Sequence, residues 1–495
     1  MIVLLLILIL LLFFILLLVV YIYYQLQVMF GAIIQAAALL SVAQASSYHN
    51  TGAIVQLFEW SWDDVANECE TFLGPKGYKA AQISPPNEHL EGSQWWTRYQ
   101  PVSYDFVSRS GDEAQFKSMI NRCKKANVGI IIDGVINHMA ADSGKSIAGT
   151  SFTSRNFPGL YSPENFHHNE GNTATNCQVN DYKNKYNVQY CDLVGLPDLD
   201  TSSSYVQEKI AEYLNQAYEF GAVGVRVDAA KHQDADELGQ LLSQVNRNMV
   251  IGQEVISGSG EAVTPSMYYS LGHVSEFDYA IDLDNQVIGE QKMKDLSNFG
   301  ESWGLMPDEY AVVFLDNHDS QRTGAALTYK NETLYSLASV FMLAHPYGMP
   351  KVMSSYYFTD NDAGPPSTGV NDGSSCHDGQ NWVCEHRWPE IANMVQWRNL
   401  ADASDVSNWQ DGNNGNQIAF SRNSAAFVAI NRDNNQWSAN LFTDLPAGEY
   451  CNVLADIDAD DVKSCGETVT IDDNGQAEFE VRSMSAVALH TGAKK

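Results

Sequence analysis

The sequence predicts an α/β fold in which repeated strand and helix units form a parallel barrel, interrupted by a loop-rich insertion and followed by an antiparallel β domain. Three observations carry this. After Tyr48 short apolar runs alternate with longer amphipathic stretches, between Asn137 and Leu199 the alternation breaks, and from about residue 402 it gives way to short runs of period two. A chain of 495 residues with 45% hydrophobic content and 15 prolines suits a multi-domain globular enzyme rather than a disordered segment.

The N-terminus stands apart. Residues 2 to 20 are almost all Leu, Ile, Val and Phe, a second apolar stretch runs from Met29 to Ala43, and Glu59 is the first charged side chain. Ala43-Gln44-Ala45 has the small-x-small form that signal peptidase reads, so residues 1–45 are expected to be a targeting segment. On this reading Met29 is a candidate for the true start, with extra sequence ahead of it; a retained anchor is the alternative, and the usual positive n-region is missing.

The barrel strands are expected at "AIVQLF" from Ala53, "YKAAQIS" from Tyr78, "VGIIIDGVIN" from Val128, "VGVRVDAA" from Val223, "MVIGQEV" from Met249 and "YAVVFLDN" from Tyr310, with "HVSEFDY" from His273 a weaker member. Tyr205 to Phe220 places Val206, Ile210, Tyr213, Leu214 and Ala217 on one helical face, behind serines that can cap it and ahead of Gly221 that stops it. The stretch from Asn137 to Leu199 is too long for a plain connection. In the C-terminal part "QIAFSR", "AAFVAINR", "VTIDD" and "AEFEVR" alternate between turn residues.

A net charge of −31, from 60 acidic and 29 basic residues, repels nucleic acid and anionic membrane surfaces but leaves a neutral polymer as a partner. The eight cysteines contain no CxxC pair and fit disulfides in an exported protein better than a metal cluster. Local spacing suggests Cys177 with Cys191, Cys376 with Cys384 and Cys451 with Cys465, leaving Cys69 with Cys123.

Catalytic groups of a strand and helix barrel sit where strands end. "DGVINH" puts Asp133, Asn137 and His138 at such an end, and "GVRVDAAKH" places Arg226 and Asp228 two apart on one strand face, with Lys231 and His232 beyond. Glu254 in "IGQEVI" and Asn317, His318 and Asp319 in "FLDNHD" close two further strands. Acids delivered to one face by separate strands suit acetal hydrolysis, in which one carboxyl protonates the leaving oxygen and another attacks or steadies the cationic sugar centre.

These four segments, in this order, together with "SPPNEH" from Ser84, "WWTRYQPVSY" from Trp95 and "HPYGMPKVMSSY" from His345, resemble the α-amylase family of retaining glycoside hydrolases in its animal-type, chloride-dependent branch. The resemblance runs from about residue 47 to the C-terminus. It implies a (β/α)8 TIM barrel over 46–137 and 199–401, a calcium-binding insertion over 138–198 after the third strand, and a C-terminal Greek-key β-sandwich over 402–495. It further implies a secreted monomer that hydrolyses internal α-1,4-glucosidic bonds of starch and glycogen to maltooligosaccharides.

By the same resemblance Asp228 is the nucleophile, Glu254 the acid and then base, and Asp319 the transition-state stabiliser. His138, Lys231 and His318 match positions that bond sugar hydroxyls; Trp95, Trp96, Tyr99 and Gln100 match the cleft wall. Calcium is expected on side-chain oxygens of Asn137 and Asp198 and carbonyls of Gln189 and His232. Chloride is expected at Arg226, Asn317 and Lys351, where vertebrate members carry arginine in place of Lys351. Cations beside Glu254 would hold it ionised and unfit to donate, so an anion that offsets them restores it. Compared with vertebrate members, the loop after "NHD" is shortened to "TGAALT" from Thr323. The competing readings are a catalytically silent membrane-anchored relative, which would have no need of three acids, and a sucrose-, trehalose- or transglycosylase-type member.

Overall fold

A computed structural model describes residues 52–495 apart from 169–176, 325–326, 372–375 and 456–464. The expected targeting segment lies outside the described residues. Among them no helix is long and apolar enough to cross a membrane.

Eight parallel strands close a barrel: β1 (Ile54–Leu57), β2 (Ala80–Ile83), β3 (Gly129–Gly134), β4 (Gly224–Val227), β5 (Val250–Gln253), β6 (His273–Glu276), β7 (Ala311–Val313) and β8 (Met349–Ser354). Each pairs with its neighbour in sequence, and β8 closes on β1 with Lys351 opposite Ile54. The strands are covered on both faces, which is why most read as continuous apolar runs. The eighth did not announce itself as a strand, because Pro350 and Lys351 interrupt its apolar run.

The helix after the insertion spans Ser204–Phe220, and Gly221 ends it in the left-handed region at φ 110°. Ser203 occupies the N-cap position but makes no side-chain capping bond. The stretch from Asn137 to Leu199 contains, among its described residues, a hairpin of Gly144–Lys145 with Ser151–Phe152, a turn at Pro163–Asn165 and a helix at Lys185–Tyr190. Its Phe152, Phe157, Tyr161, Phe166 and Val188 join the main core, so it is packed rather than loosely tethered.

In the C-terminal part, strands Val406–Asp411, Gln417–Arg422, Ala426–Asn431 and Ser485–His490 form one antiparallel sheet. Its Ile418, Phe420, Val428 and Ile430 face the main core, whereas Ala419, Phe427, Ala429 and Val487 pack on Trp437, Leu441, Phe479 and Val481 of a second, two-stranded sheet. Burial on both faces explains why "QIAFSR" is buried throughout while Gln476–Val481 alternates. Two buried arginines meet at the C-terminus of helix Glu332–Ala344: Arg422 of this sheet donates to the Ala344 carbonyl at 2.7 Å and so joins this part to the barrel, and Arg398 of the barrel's own helix Pro389–Ala401 donates to the Leu343 and His345 carbonyls at 3.1 and 2.7 Å. Helix Glu332–Ala344 leads into β8. The cysteines pair as Cys69–Cys123, Cys177–Cys191, Cys376–Cys384 and Cys451–Cys465.

Candidate active site

Asp133 on β3 stands opposite Arg226 on β4, and Asp228 lies two residues beyond Arg226 on the same face. Arg226 Nη1 meets Asp133 Oδ1 at 2.5 Å and Asp228 Oδ1 at 2.8 Å, and Nη2 lies 2.7 Å from Glu254 Oε1, just past β5. Glu254 Oε2 accepts from the Ala229 amide at 2.9 Å. Ala229 holds that amide in place at φ 49°, a left-handed conformation that costs a non-glycine residue energy. Burial pushes the Asp133 and Asp228 carboxyls upward against the pull of Arg226, since the cluster holds more acids than its guanidinium can offset.

Asp319 follows β7 in a short turn. Its side chain is 37% exposed, against 10% for Asp228 and for Glu254, so of the three it opens most to the cleft. Burial and the neighbouring Glu254 raise it to about 7, an effect that its exposure moderates. Burial, then Arg226, holds His318 well below its ordinary value and therefore neutral. Its Nδ1 sits 3.1 Å from the Gln56 amide nitrogen and can accept from it; the proton then resides on Nε2, 3.2 Å from Asp319 Oδ2.

The His318 ring is stacked between Tyr99 and Phe58, each with ring centroids 4.9 Å away, and Trp95 stands edge-on to it at 5.6 Å. Tyr99 donates to Asp133 Oδ2 at 3.0 Å. Trp95 and Trp96 are half-buried, and Gln100 accepts from the Ala141 amide at 3.1 Å, joining this wall to the insertion. Beneath the wall, Glu59 binds Arg98 at 3.1 Å and Arg109 at 3.3 Å, and Arg109 also donates to the Gly92 and Gln94 carbonyls ahead of Trp95.

On another side Lys231 pairs with Glu261 at 2.5 Å, and its ammonium lies 4.4 Å from the Tyr182 ring. His138, held to about 4 mainly by burial, has both nitrogens beside protein partners: Nε2 lies 3.0 Å from the Tyr99 carbonyl and Nδ1 3.3 Å from the Asn137 amide nitrogen.

Two oxygens near this point are orphaned. Among the described residues Asn137 Oδ1 and Asp198 Oδ1 are buried without a hydrogen-bond partner, on segments joined by the Leu199 amide to Asn137 carbonyl bond at 3.0 Å. Burial raises Asp198 to about 7 although His167 Nδ1 lies 2.7 Å from its other oxygen. The segments carrying Gln189 and His232 are bonded to each other: His232 Nδ1 contacts the Val188 carbonyl at 2.9 Å and Gln189 Nε2 donates to the Gln233 carbonyl at 3.1 Å. Two buried side-chain oxygens left without donors suit a hard cation such as calcium.

The expected anion ligands are donors throughout. Lys351 is buried, donates to Gln82 Oε1 at 3.2 Å, and is pushed down to about 8 by burial and by Arg226. Asn317 spends its amide oxygen on the Asp319 and Ser320 amides at 3.0 and 2.7 Å, leaving its NH2 group to donate. Guanidinium, ammonium and amide NH2 groups together fit an anion.

Sequence reasoning passed over several residues that the geometry brings in. Asp133, which its place at a strand end leaves without a role, bonds Arg226 and Tyr99. Gln56 and Gln82 bond His318 and Lys351, and their signal was a lone polar residue inside an apolar barrel strand. Tyr182 and Glu261, both against Lys231, lie in loops with no such signal.

Carboxylates converging on one arginine at the C-terminal end of a closed parallel barrel define a barrel enzyme with an acid and base site. Residues 91–357 match the α-amylase catalytic domain and residues 409–492 the α-amylase C-terminal all-beta domain. The chain is 47% identical over 442 residues to an α-amylase of Streptomyces violaceus, covering 88% of this chain and 73% of that protein. It is 44% identical over 470 residues to an α-amylase of Tenebrio molitor, covering 89% of this chain and 98% of that one. The crystal structure of wild-type α-amylase I from Eisenia fetida superposes with a TM-score of 0.83 at 38% identity, covering 90% and 98% of the two chains. The chain belongs to the α-amylase family, and it is an enzyme of that kind rather than a silent relative.

A raised carboxyl makes ionisation costly to the folded state. For Asp319 that cost is absent below the unfolded value near 4 and present in full above about 7, so stability falls as pH rises through this window. Asp319→Asn is therefore expected to raise the thermal midpoint at pH 8 and to leave it nearly unchanged at pH 4, which thermal unfolding of both proteins at the two pH values checks.

Proposed function

We propose that this chain cleaves internal α-1,4-glucosidic bonds of starch and glycogen with net retention, releasing maltooligosaccharides. The observation that carries the reading is the Arg226 fork, which holds Asp228 Oδ1 at 2.8 Å and Glu254 Oε1 at 2.7 Å on adjacent strands. With Oδ1 engaged, Asp228 presents Oδ2 to the anomeric carbon. Glu254 gives its proton to the leaving oxygen as the glycosidic bond breaks and a glucosyl ester forms on Asp228. It then takes a proton from the water that hydrolyses the ester. Asp319, oriented by His318, steadies the positive charge that develops on the sugar ring.

Trp95, Trp96 and Tyr99 would cover the apolar faces of glucose rings, while His138, Lys231 and His318 would bond their hydroxyls. A variant of the Eisenia fetida enzyme was solved with maltohexaose, which supports a maltooligosaccharide in this cleft. Four disulfides suit a protein working outside the cell, and we take the mature form to act there as a monomer.

Asn137 and Asp198, with the carbonyls of Gln189 and His232, would hold calcium, which ties the insertion to the barrel. Arg226, Asn317 and Lys351 would hold chloride, which draws the guanidinium's charge away from Glu254.

Asp228→Asn is expected to lower kcat on amylose by about a thousandfold or more while the fold persists. Retained activity would falsify the assignment of the nucleophile, and release of glucose alone from amylose would remove the endo reading. Chelation of calcium should lower the thermal midpoint and activity together, both returning on calcium addition; a chelated protein that keeps both holds no structural calcium. Dialysis against a chloride-free buffer should move the pH–rate profile and chloride should move it back, and an unchanged profile sinks the anion site.

A further inference from the structure

We propose that Arg322 is a positioning residue that joins the aromatic wall of the cleft to the turn carrying Asp319. The proposal rests on the active-site reading above. Arg322 is 9% exposed, in the short helix Ser320–Thr323 just after Asp319. Among the described residues it has no carboxylate within ion-pair distance, which makes it an expensive residue to bury. What surrounds it is rings and carbonyls. The guanidinium carbon lies 4.2 Å from the Phe358 ring centre, 5.0 Å from Trp95, 5.4 Å from Phe58 and 5.5 Å from Tyr356.

Its donors point to two different parts of the site. Nη1 donates to the His318 carbonyl at 2.6 Å, fixing the peptide that leads into Asp319. Nη2 donates to the Tyr356 hydroxyl at 3.0 Å and Nε to the Asn361 carbonyl at 3.2 Å. The same Asn361 carbonyl accepts from Trp95 Nε1 at 2.8 Å, and the Asn361 side chain returns a bond to the Arg322 carbonyl at 3.0 Å. Trp96 continues the line through Asp362 Oδ1 at 3.2 Å. A rigid path thus runs from Trp95 through Asn361 and Arg322 to the backbone of His318 and Asp319. A glucose ring seated on Trp95 and a sugar cation facing Asp319 are held in one frame by a single planar side chain.

Lysine keeps the charge but loses the fork and the flat face. Arg322→Lys is expected to lower kcat on maltoheptaose by about tenfold or more, with KM changed less than about threefold, because misplacement by a fraction of an ångström acts on the transition state rather than on ground-state binding. The thermal midpoint should remain close to that of the native enzyme. A kcat within about twofold of native, or a loss taken up by KM, overturns the proposal. Should Arg322→Lys fail to fold, Tyr356→Phe decides by the same split of kcat from KM, with an expected kcat loss of about threefold. Asp319→Asn is measured alongside: native kcat there overturns the active-site reading itself, whereas an inactive Asp319→Asn beside an unimpaired Arg322→Lys overturns only the role of Arg322.

Discussion

The site depends on one buried cation shared among several acids. Arg226 lies within 2.8 Å of oxygens of Asp133, Asp228 and Glu254, supplied by three neighbouring barrel strands. Removing one member of a buried ion cluster typically costs about 3–5 kcal/mol, because the charge left behind has no compensation. Such a centre is a poor way to stabilise a barrel and a good way to keep acids close together in a dry place. The surrounding structure accepts the expense: Ala229 takes a left-handed turn to offer its amide to Glu254, and Tyr99 gives its hydroxyl to Asp133.

Around this centre the site is built of flat groups in mutual contact. His318 is sandwiched between Tyr99 and Phe58, and Trp95 closes the edge, so the imidazole beside Asp319 has little freedom to turn. The same Tyr99 therefore fixes a ring beside one acid and bonds another. Glu59, Arg98 and Arg109 lie behind the wall and hold the segment from Gly92 to Tyr99 by its carbonyls and hydroxyls. Stiffness on both sides keeps hydrogen-bond donors aimed before a substrate arrives.

Much of this was legible in the sequence, and what was not has physical reasons. Seven barrel strands showed as apolar runs because both their faces are covered, whereas β8 hid behind Pro350 and Lys351. The helix Ser204–Phe220 was visible in its spacing, but its serines proved to cap nothing through their side chains. Arg226 and Asp228 were readable because period two puts them on one face. That Arg226 also meets Asp133 and Glu254 depends on strand order, which no local pattern carries. Gln56 and Gln82 stand in the strands as lone polar residues; Arg322 has no signal in the sequence, because the rings of Phe58, Trp95, Tyr356 and Phe358 come together around it only in the fold.

The pairing of Asp133 with Arg226 across β3 and β4 has a consequence for how such a chain can change over time. A single residue gained or lost between Gly224 and Arg226 would turn Arg226 outward into the helical layer and bring an apolar neighbour to the centre. Up to that point the strand behaves as a ruler of fixed length. A connection carries no such constraint, and the long segment between β3 and β4 leaves both strands that flank it in register.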